Sequence, residues 1–155
     1  MKTVFYFINS IFFLALAGCG NPSVDDTDNW AAILNEAVDA NSLQRRGSRG
    51  QESFYDPIQN KIYTGWAKLL HNNGRVNALI CLKDGKPDGL TTVWYDNGQK
   101  NAEGNYTNGK VVSIKGWKRN GETCPQARMV DNKVATFHIY SDDGTVYSSS
   151  ILPNY

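Results

Sequence analysis

Val93-Trp94-Tyr95-Asp96-Asn97-Gly98, followed by Ala102-Glu103-Gly104-Asn105-Tyr106-Thr107-Asn108-Gly109-Lys110, is the stretch that decides the fold. Each half is a short run of strand-forming residues closed by Asn-Gly. That pair is a strong hairpin signal, because a type I′ turn needs positive φ at both central residues and Asn and Gly tolerate it. Working outward, the same signal recurs at Asn73-Gly74, Asn97-Gly98, Asn120-Gly121 and Asp143-Gly144, with glycines 24, 23 and 23 residues apart. A second series lies between them at Asn60-Lys61, Asp84-Gly85-Lys86, Asn108-Gly109-Lys110 and Asp131-Asn132-Lys133. Two interleaved turn series imply two strands per unit. The expected fold is mainly β, an antiparallel meander of about eight strands built from hairpin repeats.

Side chains follow the same period. Four residues before the first turn glycine of each unit stand Leu70, Trp94, Trp117 and Tyr140; eight after it stand Leu82, Tyr106, Met129 and Leu152. Both columns are large and mostly apolar, as stacked strands require if one face is buried in every unit, so both are expected in the core. The turn glycines Gly74, Gly85, Gly98, Gly109, Gly121 and Gly144 complete the set of repeat positions. Thr123-Cys124-Pro125 puts a proline into a predicted strand, where it removes a ladder donor, so a bulge, edge or loop is expected there.

Lys86-Pro87-Asp88-Gly89, Val93 to Gly98 and Ala102 to Lys110 resemble units of the MORN repeat variant family, and Tyr63-Thr64-Gly65-Trp66 resembles the start of such arrays in bacterial lipoproteins. The resemblance covers residues 63–120 well and a degraded fourth unit beyond. It implies a repeat-built β-sheet, for which the expected role is non-enzymatic binding or structure at the cell envelope. Many bacterial proteins with these units carry the label of a YwqK-type antitoxin component of a toxin-antitoxin system, so toxin neutralisation is the alternative function it implies.

The amino terminus carries a different signal. Lys2 is followed by two apolar runs, 4–8 and 11–16, interrupted by Asn9 and Ser10, which reads as a secretory leader. The stretch is shorter than the roughly 20 apolar residues of a spanning helix. Leu16-Ala17-Gly18-Cys19 resembles the bacterial lipobox, which implies cleavage before Cys19 and a covalent lipid on its sulfur; no other cofactor and no metal is expected. Two or three acyl chains anchor durably, at about 0.8 kcal/mol per buried methylene. The implied location is the cell envelope, and Gly20 after the cysteine, rather than Asp, is compatible with an outer membrane where one exists.

The chain then divides into a leader (1–18), a flexible polar tether (19–29), a short helix and loop (30–59) and the repeat β domain (60–155). Trp30, Ile33, Leu34, Ala37 and Val38 share one helical face, with Thr27 or Asp28 as cap and Asn41 or Ser42 as end. Arg45, Arg46 and Arg49 are expected in a solvated loop. Removing 18 of the 155 residues takes Lys2 with it and brings 16 cations against 15 anions to 15 against 15. A net charge of zero recommends neither nucleic acid nor an anionic membrane surface as partner; the expected partners are the membrane through its anchor and a protein or envelope component.

Cys81 and Cys124 fall four strand spacings apart in this scheme, about 19 Å, beyond the roughly 7 Å that a disulfide allows between Cα atoms; separate thiols are expected. His71 and His138 occupy different offsets and have no nucleophile or metal-ligand spacing around them. Asp84, Asp88, Asp96, Asp131, Asp142 and Asp143 all fall at turns, where carboxylates satisfy local backbone groups. Catalysis is not expected.

Overall fold

The computed structural model describes residues 27–48 and 51–124, together with the strands at 128–129, 136–140 and 146–150. Among the described residues one α-helix, α1 (Thr27–Glu36), precedes thirteen strands, with a short 3-10 turn (Ala40–Ser42) between the first two: β1 (Val38–Asp39), β2 (Gln44–Arg46), β3 (Ser53–Asp56), β4 (Lys61–Ile62), β5 (Gly65–Leu70), β6 (Val76–Lys83), β7 (Lys86–Trp94), β8 (Lys100–Thr107), β9 (Lys110–Trp117), β10 (Thr123–Cys124), β11 (Arg128–Met129), β12 (Thr136–Tyr140) and β13 (Val146–Ser150). The chain is mainly β, as its turn pattern requires. Consecutive strands β5 to β10 pair antiparallel as one meander, β1 adds to it in parallel beside β5, and β2-β3-β4 and β11-β12-β13 form two further three-stranded meanders. If β10 and β11 are counted as halves of one interrupted strand, β5 to β13 number eight. β10 ends at Cys124, the residue before Pro125, and pairs with β9, while β11 starts at Arg128 and pairs with β12 in a separate sheet.

The two turn series differ in kind. Asp84 and Gly85 have φ of 50° and 73°, and Asn108 and Gly109 have 49° and 77°, so this series forms the type I′ turns. In the other series only the glycine is left-handed: Gly74, Gly98 and Gly121 have φ of 80°, 91° and 91°, while their asparagines stay at negative φ. Here Gly74, Gly98 and Gly121 donate N–H to the carbonyls of His71, Tyr95 and Lys118 at 2.9 Å. This corrects the type I′ expectation for these turns. The loops hold five residues, as Leu70↔Val76 and Trp94↔Lys100 show, and a type I turn followed by a left-handed glycine closes that length.

Bulges account for the uneven repeat length. Asn77 and Asn101 are extra residues at the start of β6 and β8, where the register shifts. Farther along, β7 carries two more residues than β6 between Ile80↔Thr91 and Leu82↔Pro87, whereas β9 carries one more than β8 between Asn105↔Ser113 and Tyr106↔Val111. That one residue makes β7 nine long and β9 eight, and sets the first spacing at 24 and the second at 23.

The main core lies on one face: Ala67 and Leu69 of β5, Ala78, Ile80 and Leu82 of β6, Val93 of β7, Ala102 and Tyr106 of β8, and Cys124 of β10, joined by Ala40 and Phe54. Ile80 and Leu82 in unit one correspond to Gly104 and Tyr106 in unit two. A Cβ on Gly104 would lie 3.0 Å from Tyr106 Cε2, so the tyrosine ring lies over the glycine of its own strand and fills the volume of two aliphatic side chains. Burial pushes the Tyr106 hydroxyl well above the ordinary tyrosine pKa.

The segment 37–59 departs from the expected helix end and loop. The helix stops at Glu36, Val38 enters β1, and Arg45 and Arg46 lie in β2. The type I′ turn at Asp84-Gly85 holds β3 in place: Phe54 donates N–H to Gly85 O at 2.7 Å, and Tyr63 donates to Phe54 O at 3.0 Å. A side chain at Gly85 has no room there, since its Cβ would sit 2.8 Å from Phe54 O and 3.0 Å from Phe54 N.

Candidate functional site

Both ends of the β5 to β10 meander are built so that each unit is tied to the next. At the five-residue turns, Asn73 Oδ1 accepts from Arg75 N at 3.1 Å while its Nδ2 donates to Asp96 O of the following turn at 2.9 Å. Asn97 repeats this: Oδ1 accepts from Gln99 N and Nδ2 donates to Arg119 O, each at 3.0 Å. Asn120 Oδ1 accepts from Glu122 N at 3.0 Å in the same way. One amide side chain thus closes its own turn with its acceptor and holds its neighbour with its donor, which aspartate cannot do. A parallel rung is formed by His71 Nε2, which donates to Trp94 O, and Tyr95 Oη, which donates to Trp117 O, both at 2.9 Å. At the opposite end Gly85 N donates to Tyr63 O and Gly109 N to Pro87 O, while Asp84 N donates to Thr64 Oγ1 and Asn108 N to Asp88 Oδ2. Asn97→Asp keeps the turn and loses the rung; it is expected to lower stability by about 1 kcal/mol in urea unfolding, and Asn97→Ala by more.

The column Leu70, Trp94 and Trp117 belongs to this edge and not to the core. Leu70 is 52% exposed, whereas Leu82 and Tyr106 of the other column are 0% and 4% exposed; Trp94 and Trp117 are half-buried. The expectation that both columns are core therefore holds for Leu82 and Tyr106 and fails for Leu70, Trp94 and Trp117. The cause is the bulge, because one extra residue at Asn77 or Asn101 places residues on the two sides of the turn on opposite faces from simple alternation. Trp94 meets Trp30 of α1 edge to face, centroids 6.2 Å apart, and Lys68 Nζ donates to Leu34 O at 2.6 Å, placing a cation on the last turn of that helix. The Lys100 ammonium lies 5.0 Å over the Trp117 ring and pairs with Glu103 at 2.7 Å. Arg119 stands over Tyr95 at 5.7 Å and pairs with Asp96. The edge is an ordered strip of aromatic and cationic groups. Its exposed ion pairs contribute little to stability; their effect is to hold side chains in place.

Asp84 and Asp96 sit at turns, whereas Asp88 lies inside β7, a correction to its expected turn position; from the strand its carboxylate accepts the N–H of Asn108 in the next turn. Cys81 and Cys124 lie on β6 and β10, four strands apart in the sheet order, as the repeat arithmetic indicated. Cys81 is disulfide-bonded, which corrects the expectation of a thiol at that position. Cys19, Leu16, Ala17, Gly18, Gly144, Asp131, Asp142, Asp143 and Leu152 lie outside the described residues, as do the side chains of Tyr140, Met129 and His138. Among the described residues, no three His, Cys, Asp or Glu side chains could hold a metal ion, and no helix is long and apolar enough to cross a membrane.

No family model matches the chain, and no curated protein is similar to it. Sequence reasoning missed the rungs between turns. Their signal was present in the choice of Asn73, Asn97 and Asn120 where aspartate would also suit a turn.

Proposed function

We propose that the chain is a lipid-anchored, non-enzymatic module of the cell envelope whose repeat sheet presents a binding surface. The observation that carries this reading is the apolar run ending in Leu16-Ala17-Gly18-Cys19. Support comes from the way the described polar groups are used: amide, hydroxyl and carboxylate side chains at the turns are committed to neighbouring backbone, which makes a stiff sheet with broad edges.

The disulfide at Cys81 favours a second reading. The chain has three cysteines, and a sulfur in a thioether cannot also form a disulfide. A secreted chain whose leader-proximal cysteine is oxidised rather than acylated would use the same sheet without an anchor. Fractionation separates the two. Under the lipoprotein reading the wild type sediments with membranes, and Cys19→Ser accumulates with its leader still attached. A Cys19→Ser chain that is cleaved and recovered like the wild type supports the secreted reading.

A further inference from the structure

The chain has four Asn-Gly pairs, Asn73-Gly74, Asn97-Gly98, Asn108-Gly109 and Asn120-Gly121, and all four asparagines are exposed. This is the pair in which asparagine converts most readily to an acid, because glycine has no Cβ to obstruct a close approach. The glycine nitrogen loses its proton to hydroxide and attacks the asparagine Cγ. A Cγ–N bond forms, the Cγ–Nδ2 bond breaks, and ammonia leaves. Water then opens the resulting five-membered imide: attack at Cγ gives aspartate, and attack at the main-chain carbonyl carbon gives isoaspartate, in which the chain runs through the side chain. Hydrogen bonds that hold the amide or the attacking nitrogen must break first, so the fold sets the rate at each pair.

The four pairs are held unequally. Asn73 has three such bonds: Oδ1 accepts from Arg75 N, Nδ2 donates to Asp96 O, and the attacking nitrogen, Gly74 N, donates to His71 O. Asn97 has the same three, with Gln99 N, Arg119 O and, from Gly98 N, Tyr95 O. Asn120 has two, from Glu122 N to its Oδ1 and from Gly121 N to Lys118 O, and its Nδ2 has no partner among the described residues. Asn108 belongs to the other turn series. Its amide makes no hydrogen bond among the described residues, and the one bond to break is that from Gly109 N to Pro87 O at 2.7 Å. The cause is turn length: Lys110 is the ladder partner of Thr107, so the main chain closes this two-residue turn and requires nothing of the asparagine side chain. We infer that Asn108 is the site at which the folded chain ages, by conversion to aspartate and isoaspartate, and that the rungs at Asn73 and Asn97 protect those asparagines from the same reaction. Isoaspartate adds a methylene to the main chain inside a turn whose φ values of 49° and 77° close β8 onto β9. Either acid also brings a second carboxylate to a turn where Asp88 already accepts the Asn108 N–H, so this turn loosens. The reaction needs only water and base and does not depend on the anchor.

The test follows the full-length protein for weeks at physiological temperature and mildly alkaline pH, folded and, in parallel, unfolded in guanidinium chloride. Samples are digested at acidic pH, and the four Asn-Gly peptides are resolved by liquid chromatography and mass spectrometry, which reads the amide-to-acid mass gain and separates the two isomeric products. In the folded protein Asn108 is expected to convert first, roughly fivefold faster than Asn120 and roughly 25-fold faster than Asn73 and Asn97, at about fivefold for each hydrogen bond that must break. In guanidinium the four are expected to convert at similar rates, since every pair is then equally free. Folded protein in which the four rates are similar, in which another pair leads, or in which Asn108 stays intact overturns the inference. An order that persists in guanidinium does so too, because the local sequence and not the fold would then set it.

Discussion

Gly85→Ala is expected to lower stability by about 3 kcal/mol, the sum of roughly 1–2 kcal/mol for a left-handed alanine and roughly 1–3 kcal/mol for forcing atoms into a packed site. In a chain of this size that is a fall in melting temperature of about 10 °C. Both causes are visible in the structure. The φ of 73° is one that only glycine adopts readily, and the added Cβ would lie 2.8 Å from the carbonyl oxygen of Phe54. The obstacle is backbone, so no side-chain rotation relieves it. Moving β3 away breaks the bond from Phe54 N to Gly85 O and loosens Phe54, a member of the core. Gly74→Ala is the matched control: its φ of 80° carries the same conformational cost, but nothing lies within 4 Å of its Cβ position. Thermal unfolding by circular dichroism should separate the two. Equal losses would show that the turn does not hold the β2-β3-β4 sheet.

Leu82→Ala is expected to cost about 3 kcal/mol, within the range for leucines truncated in a packed interior, while Leu70→Ala is expected to cost under about 0.5 kcal/mol as a surface change. Both leucines head a repeating column of large apolar residues, so the comparison isolates burial from residue type. Leu82 is 0% exposed on the core face, and Leu70 is 52% exposed at the turn edge. Urea midpoints measured on the two variants decide the matter; similar losses would place Leu70 in the core after all.

The contrast between these leucines marks where sequence reasoning stops. The number and pairing of strands in the meander were legible because turn chemistry is local: a glycine that must take positive φ announces itself wherever it stands. The face of the sheet on which a column lands was not legible. It depends on single extra residues at Asn77 and Asn101, which look like any other polar residue in a strand yet reverse the alternation. Turn type failed for a related reason. Asn-Gly occurs in both series, and the lengths of the flanking loops, known only from the register, divide type I′ from type I. The strands β1 to β4 were hidden because runs of two to four residues are too short to show a periodicity; they form by docking on Gly85 and beside β5, through contacts distant in sequence. At the candidate site, the aromatic column was visible as a column, but its use at an edge required seeing Trp30 and Lys100 packed onto it.

The most direct measurement of the central claim is the mass of the N-terminal peptide of protein isolated from cell membranes, digested without reduction. The account predicts a peptide beginning at Cys19 whose sulfur carries diacylglycerol and whose amine is free or acylated. A peptide in which Cys19 is unmodified, still joined to residues 1–18, or linked by a disulfide to the peptide containing Cys81 would contradict it.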